Sequence, residues 1–225
     1  MTLLQVTTVA DSAIVNASDS SVNLLDLLLK GGYVMIPLLL LSAAAIAIFV
    51  ERVLTIKKSS KTPPGLLNQV KALVTDGKID QAKMICSQNE TPIAKMLEKG
   101  VSRIGSPLKN IEVSIENVGK VEIYRLEKNL SLLATISGAA PMIGFLGTVT
   151  GMIQAFIAIA QEEGSVSPKL LSEGIYEAMI TTAVGLSVGI IAYLGYNYLV
   201  TQVQKVIHKM EYTSVEFIDL LQESK

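Results

Sequence analysis

Hydroxyl-bearing residues interrupt two otherwise apolar stretches of the chain. Thr148 and Thr150 lie in GFLGTVTGMIQAF, which starts at residue 144, and Thr181 and Thr182 lie in EAMITTAVGL, which starts at residue 177. In a membrane helix a threonine hydroxyl can bond a carbonyl of its own helix, or it can line a polar path. Each threonine taken alone fits the first alternative. Their coincidence with glycine-rich faces favours a polar pore or groove.

Glu177 is the acidic residue next to the second pair of threonines. A carboxylate at or just inside a membrane boundary is costly, and it usually faces protein or water. Two alternatives follow for Glu177: it faces a pore, or it sits at the external interface of the membrane.

Small residues at helical spacing accompany the threonines. Gly147 and Gly151 form one GxxxG pair, and Gly185 and Gly189 form another. In lipid, packing rather than hydrophobicity holds helices together, so these pairs predict close helix–helix contact. Pro141 lies in the same stretch as the first pair, and its missing N–H predicts a kink or a local loosening of that helix.

The elements that must position these residues are long uncharged windows. Residues 31–50, 129–161 and 178–204 contain no Asp, Glu, Lys or Arg. Each reaches or passes the ~20 apolar residues that cross a bilayer as a helix. The chain is 50% hydrophobic and 17% charged, and its mean hydropathy of +0.47 is unlike that of an ordinary soluble domain. Three transmembrane helices are therefore predicted.

The distribution of basic residues predicts the orientation. Most of the 19 lysines and arginines lie between Glu51 and Lys128, so this region is expected in the cytoplasm. The predicted segments are a periplasmic N-terminal segment with an interfacial amphipathic helix (1–30), a first transmembrane helix (31–56), a cytoplasmic helical domain (57–128), a second transmembrane helix (129–160), a periplasmic loop (161–173), a third transmembrane helix (174–201) and a cytoplasmic C-terminal helix (202–225).

The cytoplasmic region is predicted to be helical. Gly77 marks a turn, and Thr91 is placed to cap a helix that begins with Pro92. From Pro107 the helical pattern runs straight into the second window, which predicts one very long helix. The tail after Gln202 is amphipathic and should extend the third span inward. The fold class is thus an all-α integral membrane protein with no predicted strand.

Catalysis and metal binding are not expected. Cys86 is the one cysteine and is predicted to be a reduced, buried thiol, and His208 is the one histidine, predicted at the surface near a helix end. The sequence has no CxxC, no GxxxxGK loop and no basic–aromatic surface for nucleic acid. No cofactor is predicted. The spans also lack a central charge, so a proton path would need a titrating group from a partner.

The chain resembles the ExbB/TolQ/MotA family of proton-channel proteins, and the ExbB/TolQ branch most closely. The resemblance covers nearly the whole chain, in the order and orientation of its three spans. The segments that carry it are KGGYVMIPLLLLS, ERVLTIKK, GKIDQAKMICSQNETPIAKMLEKG, AAPMIGFLGTVTGMIQAF and IYEAMITTAVGLSVGIIAYLGYN.

This resemblance implies a pentameric ring in the bacterial inner membrane. The ring would surround the single transmembrane helices of a dimeric ExbD/TolR-type partner, whose essential membrane aspartate takes up and releases protons. The resulting motion would pass to a TonB-like or TolA-like protein. In ExbB-like members this energises TonB-dependent outer-membrane transport, and in TolQ-like members it supports envelope integrity.

The resemblance also implies roles for single residues. Thr148 and Thr182 match the pore threonines of the second and third spans, and Glu177 matches the acidic residue of the third. Thr150 stands where many relatives carry Trp, and Thr181 where Ala is commoner. The remaining matches are a pair at the cytoplasmic membrane boundary (Glu51 and Arg52) and glycines that would make room for partner helices (Gly144, Gly147, Gly151, Gly185 and Gly189).

Other functions remain as alternatives. A TolQ-like role differs from an ExbB-like one by partner, and a non-conducting membrane scaffold could use the same packing faces. A self-contained transporter is disfavoured by the uncharged spans. The MotA type is disfavoured because four spans and a larger cytoplasmic domain would be expected.

Overall fold

A computed structural model describes residues 31–161 and 168–223, with the side chains of residues 168–171 excepted. These ranges contain helices and no strand, as predicted. The amphipathic helix predicted before the first span lies outside them. The helices are α1 (Met35–Ser60), α2 (Leu66–Thr75), α3 (Ile79–Ser87), α4 (Pro92–Val101), α5 (Leu108–Glu127), α6 (Leu130–Gln161) and α7 (Pro168–Glu223).

Three helical stretches are long and apolar enough to cross a membrane. They are Met35–Ser60, Leu108–Gln161 and Ser172–Glu223, and each contains a window of high hydropathy. Over the residues that the structure describes, the prediction of an all-α fold with three helices able to span a membrane is thereby confirmed. α7 is one helix of 56 residues, so the third span and the C-terminal amphipathic segment form a single element that already begins at Pro168.

The long helix predicted from Pro107 is broken by a two-residue turn. α5 ends at Glu127 and α6 begins at Leu130. Between them Lys128 is extended, and Asn129 has a positive φ of 64°. Asn tolerates the left-handed region better than most residues, because its short polar side chain bonds locally. The hydrophobic pattern continues across this turn, which is why the sequence predicted one helix.

Pro141 does not interrupt α6, which stays helical from Leu130 to Gln161. The predicted bend at Pro141 stays a prediction. Helix continuity is possible because neighbouring groups in a membrane helix can satisfy the carbonyl that a proline leaves free.

The chain divides into two compact units. The first comprises residues up to Leu40 together with Ala140–Ser187, and the second comprises Leu41–Ala139 and Val188–Lys225. In the first unit, the start of α1, most of α6 and the first part of α7 pack together. The second unit contains α2–α5 and the remaining parts of the three long helices.

The second unit has a continuous apolar core, and its local signals were read correctly from the sequence. Phe217 is fully buried, and it meets the bare face of Gly100 together with Ile115. Thr91 caps α4, because its Oγ1 accepts a hydrogen bond from the Ala94 amide at 3.4 Å. The other turns and core members of this unit agree: Gly77 turns the chain at φ 75°, and Cys86 is buried.

Candidate functional site

Small residues form a close antiparallel contact between α6 and α7 in the first unit. A Cβ on Gly144 would lie 2.9 Å from the Thr181 carbonyl oxygen and 3.2 Å from the Gly185 Cα. Further along α6, a Cβ on Gly151 would lie 3.0 Å from the Ala178 Cβ. Rising α6 numbers meet falling α7 numbers, so the two helices run in opposite directions. The two backbones approach so closely that a methyl group does not fit between them.

Four of the five glycines that were predicted to pack helices, Gly144, Gly147, Gly151 and Gly185, make close contacts within this chain. A Cβ on Gly147 would overlap the Thr181 hydroxyl, and one on Gly185 would lie 2.7 Å from the Ala140 carbonyl oxygen. Gly189 is also buried. Gly147, Gly151 and Gly185 thus make the close helix–helix contact that the GxxxG pairs predict, and Gly144 makes the same contact. Their role in making room for partner helices stays a prediction.

Thr182 links α7 to α6 by a hydrogen bond. Its Oγ1 donates to the backbone carbonyl oxygen of Gly144 at 2.9 Å. The hydroxyl is half-buried, and because its proton is engaged, its oxygen is left as an acceptor. Of the four threonines singled out in the sequence, Thr182 bonds the backbone of the other helix.

The other three threonines bond their own helices. Thr148 Oγ1 donates to Phe145 O at 2.6 Å, and Thr150 Oγ1 lies 3.0 Å from Leu146 O. Thr181 is 1% exposed, and its Oγ1 donates to Ala178 O at 2.8 Å. For these residues the structure shows the intrahelical alternative. Thr181 is a packing residue against Gly147, whereas Thr148 and Thr150 are half-buried.

Glu177 lies against the segment that enters α1. Gly32 has a φ of 64°, and a Cβ there would overlap the Glu177 Oε1. Glu177 is half-buried in this position. The first uncharged stretch and the acid of α7 are therefore neighbours within the first unit, and Gly32 is required both for its backbone conformation and for its lack of a side chain.

Glu51 and Arg52 hold the turn between α5 and α6. Arg52 is 4% exposed, and its guanidinium donates to Glu51 Oε1 at 2.5 Å and to the Arg125 carbonyl oxygen at 3.1 Å. Asn129 Nδ2 donates to the other Glu51 oxygen at 3.4 Å. One nitrogen of Arg52, Nε, is buried with no hydrogen-bond partner. The pair fixes the first span to the last turn of α5 and to the turn that follows it.

Several contributors to these contacts were not singled out in the sequence. Ala140, Ala155, Gly174 and Ala178 continue the small-residue contact at both ends. The signal was present, because small residues recur three or four positions apart through both helices. Gly32 could have been suspected from the Gly–Gly pair that precedes the first span. Nothing in the sequence pointed to the bond from Arg52 to the Arg125 carbonyl.

The arrangement offers hydroxyls and carbonyls but no titrating group at the centre of a span. α6 contains no charged residue, and α7 contains none between Glu177 and Lys205. Among the described residues, no three His, Cys, Asp or Glu side chains are grouped to hold a metal ion. The small-residue contact can therefore hold helices at a fixed separation and present hydroxyl oxygens.

Cys86 and His208 belong to the second unit. Cys86 is a buried free thiol, and burial raises its pKa to about 11. His208 is exposed, as predicted, but it lies within α7 and not near the end of that helix. The reason is that the amphipathic tail extends α7 without a break to Glu223.

Taken together, three apolar helical stretches and a glycine-packed contact between the uncharged stretches of two of them define a multi-pass membrane protein. The family model of the MotA/TolQ/ExbB proton channel family matches residues 88–212. The chain belongs to this family, which groups membrane channel and motor subunits, and the resemblance drawn from the sequence is confirmed.

Individual relatives carry ExbB and TolQ names. The chain is 30% identical over 174 residues to a biopolymer transport ExbB homologue of Methanothermobacter thermautotrophicus, covering 75% of this chain and 61% of that protein. It is 31% identical over 180 residues to an ExbB-like biopolymer transport protein of Synechocystis, covering 79% and 71%. It is 38% identical over 85 residues to the Tol-Pal system protein TolQ of Haemophilus influenzae, covering 38% and 37%. Family and fold support a multi-pass inner-membrane protein.

Proposed function

We propose that this chain is a subunit of an inner-membrane motor driven by the proton-motive force. It would form a proton channel together with an ExbD/TolR-type single-span protein and energise TonB-dependent transport across the outer membrane. The N-terminus would be periplasmic and the C-terminus cytoplasmic. Five copies would form the ring around the partner helices.

The bond from Thr182 to the Gly144 carbonyl is the observation that carries this proposal. It places a half-buried hydroxyl oxygen beside a glycine face in an uncharged region of a membrane helix. A polar group there is costly unless it faces protein or a water-filled path. Such an oxygen can accept a hydrogen bond from a protonated carboxyl group or from water beside it.

The partner must contribute the titrating carboxylate, because the central parts of the three spans have none of their own. In this proposal Thr148 and Thr182 flank the aspartate of the partner and solvate its change of protonation. Glu177 lies nearer the external end of the same path. Thr181 serves the path indirectly, by holding α7 against Gly147.

A TolQ-like role in envelope integrity is the second candidate. The specific support is the similarity to the TolQ protein of Haemophilus influenzae, over 38% of this chain. The two roles differ in the protein that receives the motion, and the chain carries no segment of that partner. A non-conducting scaffold is the third candidate function, in which the glycine faces only pack helices.

Co-purification tests the proposal most directly. The full chain would be expressed with a single-span protein whose membrane helix carries an Asp, and the detergent-solubilised complex would be weighed by native mass spectrometry. A ring of five chains with partner helices supports the motor subunit. A ring that binds no such partner argues for the scaffold, and a monomer contradicts the ring altogether.

Growth phenotypes then separate the two motor roles. The chain would be expressed in one host that lacks its own ExbB, and therefore TonB-linked uptake, and in another host that lacks TolQ. Each host would also express the single-span protein that co-purifies with the chain. Rescue of nutrient uptake supports the ExbB-like role, and rescue of detergent resistance supports the TolQ-like role. As a control, each assay would be repeated with the proton gradient collapsed by an uncoupler. Rescue that depends on proton flow should then be lost.

A further inference from the structure

Two cavities lie one after the other along α1 and α7 in the second unit, and together they form what is here called the seam. On α1 the lining runs from Ser42 through Phe49 to Ser60, with Lys61 directly after the helix, and on α7 it runs from Val188 through Tyr198 to Lys209. Many of these residues recur three or four positions apart, a spacing that places them on the same side of their helix.

The first cavity is apolar. Its volume is about 260 Å³, and it is lined mainly by alanine, isoleucine, valine, leucine and phenylalanine side chains. Ile46 and Ile191 line it and are exposed, at 60% and 69%. It lies within the uncharged windows of α1 and α7, where these helices are apolar enough to cross the hydrocarbon of a membrane.

The second cavity is larger and basic. Its volume is about 860 Å³, and its lining includes Lys57, Lys61, Lys205 and Lys209 together with His208. No Asp or Glu lines it. Within the described residues none of these four lysines forms an ion pair, whereas Lys58, on another face of α1, pairs with Glu90 at 2.7 Å. Four lysines that form no ion pair among the described residues thus line one cavity, where the helices leave the uncharged windows.

The change of character falls at an aromatic pair. The rings of Phe49 and Tyr198 lie 6.4 Å apart between centroids, at the boundary between the two cavities. From Ser42 to Lys57 the seam follows α1 for about 22 Å, at 1.5 Å per residue. This length suits one leaflet of a bilayer, which is about half of a 30 Å hydrocarbon core plus a headgroup.

We propose that the seam binds an anionic phospholipid, with its phosphate among the four lysines and one acyl chain in the apolar cavity. Basic pockets at the ends of membrane helices recognise anionic headgroups, and each lysine near the surface contributes to the attraction. The order of apolar cavity, aromatic pair and basic cavity matches the order of parts in such a lipid. The site belongs to the second unit alone and is separate from the α6–α7 contact.

A single tryptophan provides the probe, because the chain has none of its own. The full chain carrying Ile191→Trp would be placed in phosphatidylcholine nanodiscs that contain a minor fraction of lipid brominated on its acyl chains. Brominated phosphatidylglycerol should quench this tryptophan more strongly than the same fraction of brominated phosphatidylcholine. Leu194→Trp is the control on the same helix, 63% exposed at its native leucine and outside the seam, and the two brominated lipids should quench it equally.

Lysine variants show whether the positive charges of the second cavity recognise the anionic headgroup. Lys57→Gln combined with Lys205→Gln should lower the preference for phosphatidylglycerol about tenfold or more. Lys83→Gln combined with Lys99→Gln removes the same charge from exposed cytoplasmic positions and should leave the preference unchanged. If Ile191→Trp prevents folding, Ile46→Trp reports on the same cavity from α1.

Three results would overturn the proposal. Equal quenching by both brominated lipids would mean that the seam takes lipid without selection. A tryptophan shielded from every brominated lipid would mean that protein, such as a second copy of this chain, covers the seam. Loss of the preference on addition of soluble glycerol phosphate would mean that the lysines bind a free anion and that the acyl chain adds nothing.

Discussion

Thr182 donates its hydroxyl proton to the carbonyl oxygen of Gly144 across 2.9 Å, and in doing so joins α7 to α6. This bond forms where Gly144 of α6 faces Gly185 of α7. A Cβ on Gly144 would lie 3.2 Å from the Gly185 Cα and 3.2 Å from the Thr182 Cα. The close approach of the backbones is what brings a side-chain hydroxyl within reach of a main-chain carbonyl on the other helix.

Removing the hydroxyls at Thr148 and Thr182 should reduce proton-dependent function. Thr148→Val keeps the shape of the side chain and breaks only a bond to its own helix, so stability should not change. Thr182→Val should also lose about 0.6 kcal/mol, the average for a hydrogen bond between membrane helices. Proton-dependent uptake in a complemented null strain and thermal unfolding in detergent measure the two effects.

Thr150→Val is the matched control for both threonines, since Thr150 bonds its own helix two residues from Thr148. It should leave proton-dependent uptake unchanged, and Thr182→Ser should restore most of what Thr182→Val removes. Normal uptake in Thr148→Val and Thr182→Val together would rule out the hydroxyls as parts of a proton path.

Gly144→Ala should separate α6 from α7. The new methyl group would meet backbone atoms, which cannot rotate away, so overpacking should cost about 1–3 kcal/mol. Gly138→Ala is the control in the same helix, because a Cβ there has nothing within 4 Å. Thermal unfolding in detergent should show a lower Tm for Gly144→Ala and an unchanged or raised Tm for Gly138→Ala. Equal Tm values would mean that the helix contact is looser than described.

Gly32→Ala should displace Glu177. Alanine at a positive φ costs about 1–2 kcal/mol of backbone strain, and its methyl group would also collide with the Glu177 carboxylate. Gly65→Ala has the same backbone strain at φ 85° but meets nothing within 4 Å. Proton-dependent uptake per folded molecule should fall for Gly32→Ala and not for Gly65→Ala. A similar loss in both would assign the effect to strain alone.

Arg52→Ala should destabilise the protein by about 1–3 kcal/mol, because it leaves the part-buried Arg125 carbonyl oxygen without its donor. Arg103→Ala removes an exposed arginine instead and should change stability by less than about 0.5 kcal/mol. Thermal unfolding in detergent compares the two variants. An unchanged Tm for Arg52→Ala would show that the buried guanidinium contributes nothing net.

Cys86 should resist maleimide in the folded protein. Burial raises its pKa to about 11 from 9.0, so the reactive thiolate is scarce at pH 8. Below pH 9 the Cys86 thiol is neutral in both the folded and the unfolded chain, so its contribution to stability is constant. Between pH 9 and about 11 the thiol ionises in the unfolded chain but not in the folded one, so stability should decline as the pH rises. Cys86→Ser combined with Ser87→Cys moves the thiol to an exposed neighbour and should react rapidly. Rapid labelling of native Cys86 would contradict its burial.

The sequence predicted elements better than it predicted contacts. Uncharged windows, the Thr91 cap and the Gly77 turn are local signals, and each matched the structure. The break at Asn129 was missed because the apolar pattern runs across it. The positive φ of one residue does not change the spacing of apolar residues from which helices were predicted. The partner of Glu177 was missed for another reason: Gly32 lies 145 positions away, and no spacing rule joins two such distant residues.

The threonines show the same division. Their position in small-residue faces could be read from the sequence, whereas the acceptor of each hydroxyl could not. Thr148 and Thr182 look alike in sequence, yet Thr148 bonds its own helix and Thr182 bonds the other one. The difference depends on how far apart two backbones lie, which only the packed structure determines.

The turn at Lys128 and Asn129 has a mechanical consequence. A helix transmits torsion along its ladder of backbone hydrogen bonds, and this ladder is interrupted between α5 and α6. Torsion in α6 therefore has no ladder of backbone hydrogen bonds to follow into α5, and the bonds of Glu51 and Arg52 join the end of α5 and the turn to the first span. The ladder of α7 is unbroken over 56 residues, so torsion has a continuous backbone path in α7 that α5 and α6 do not offer.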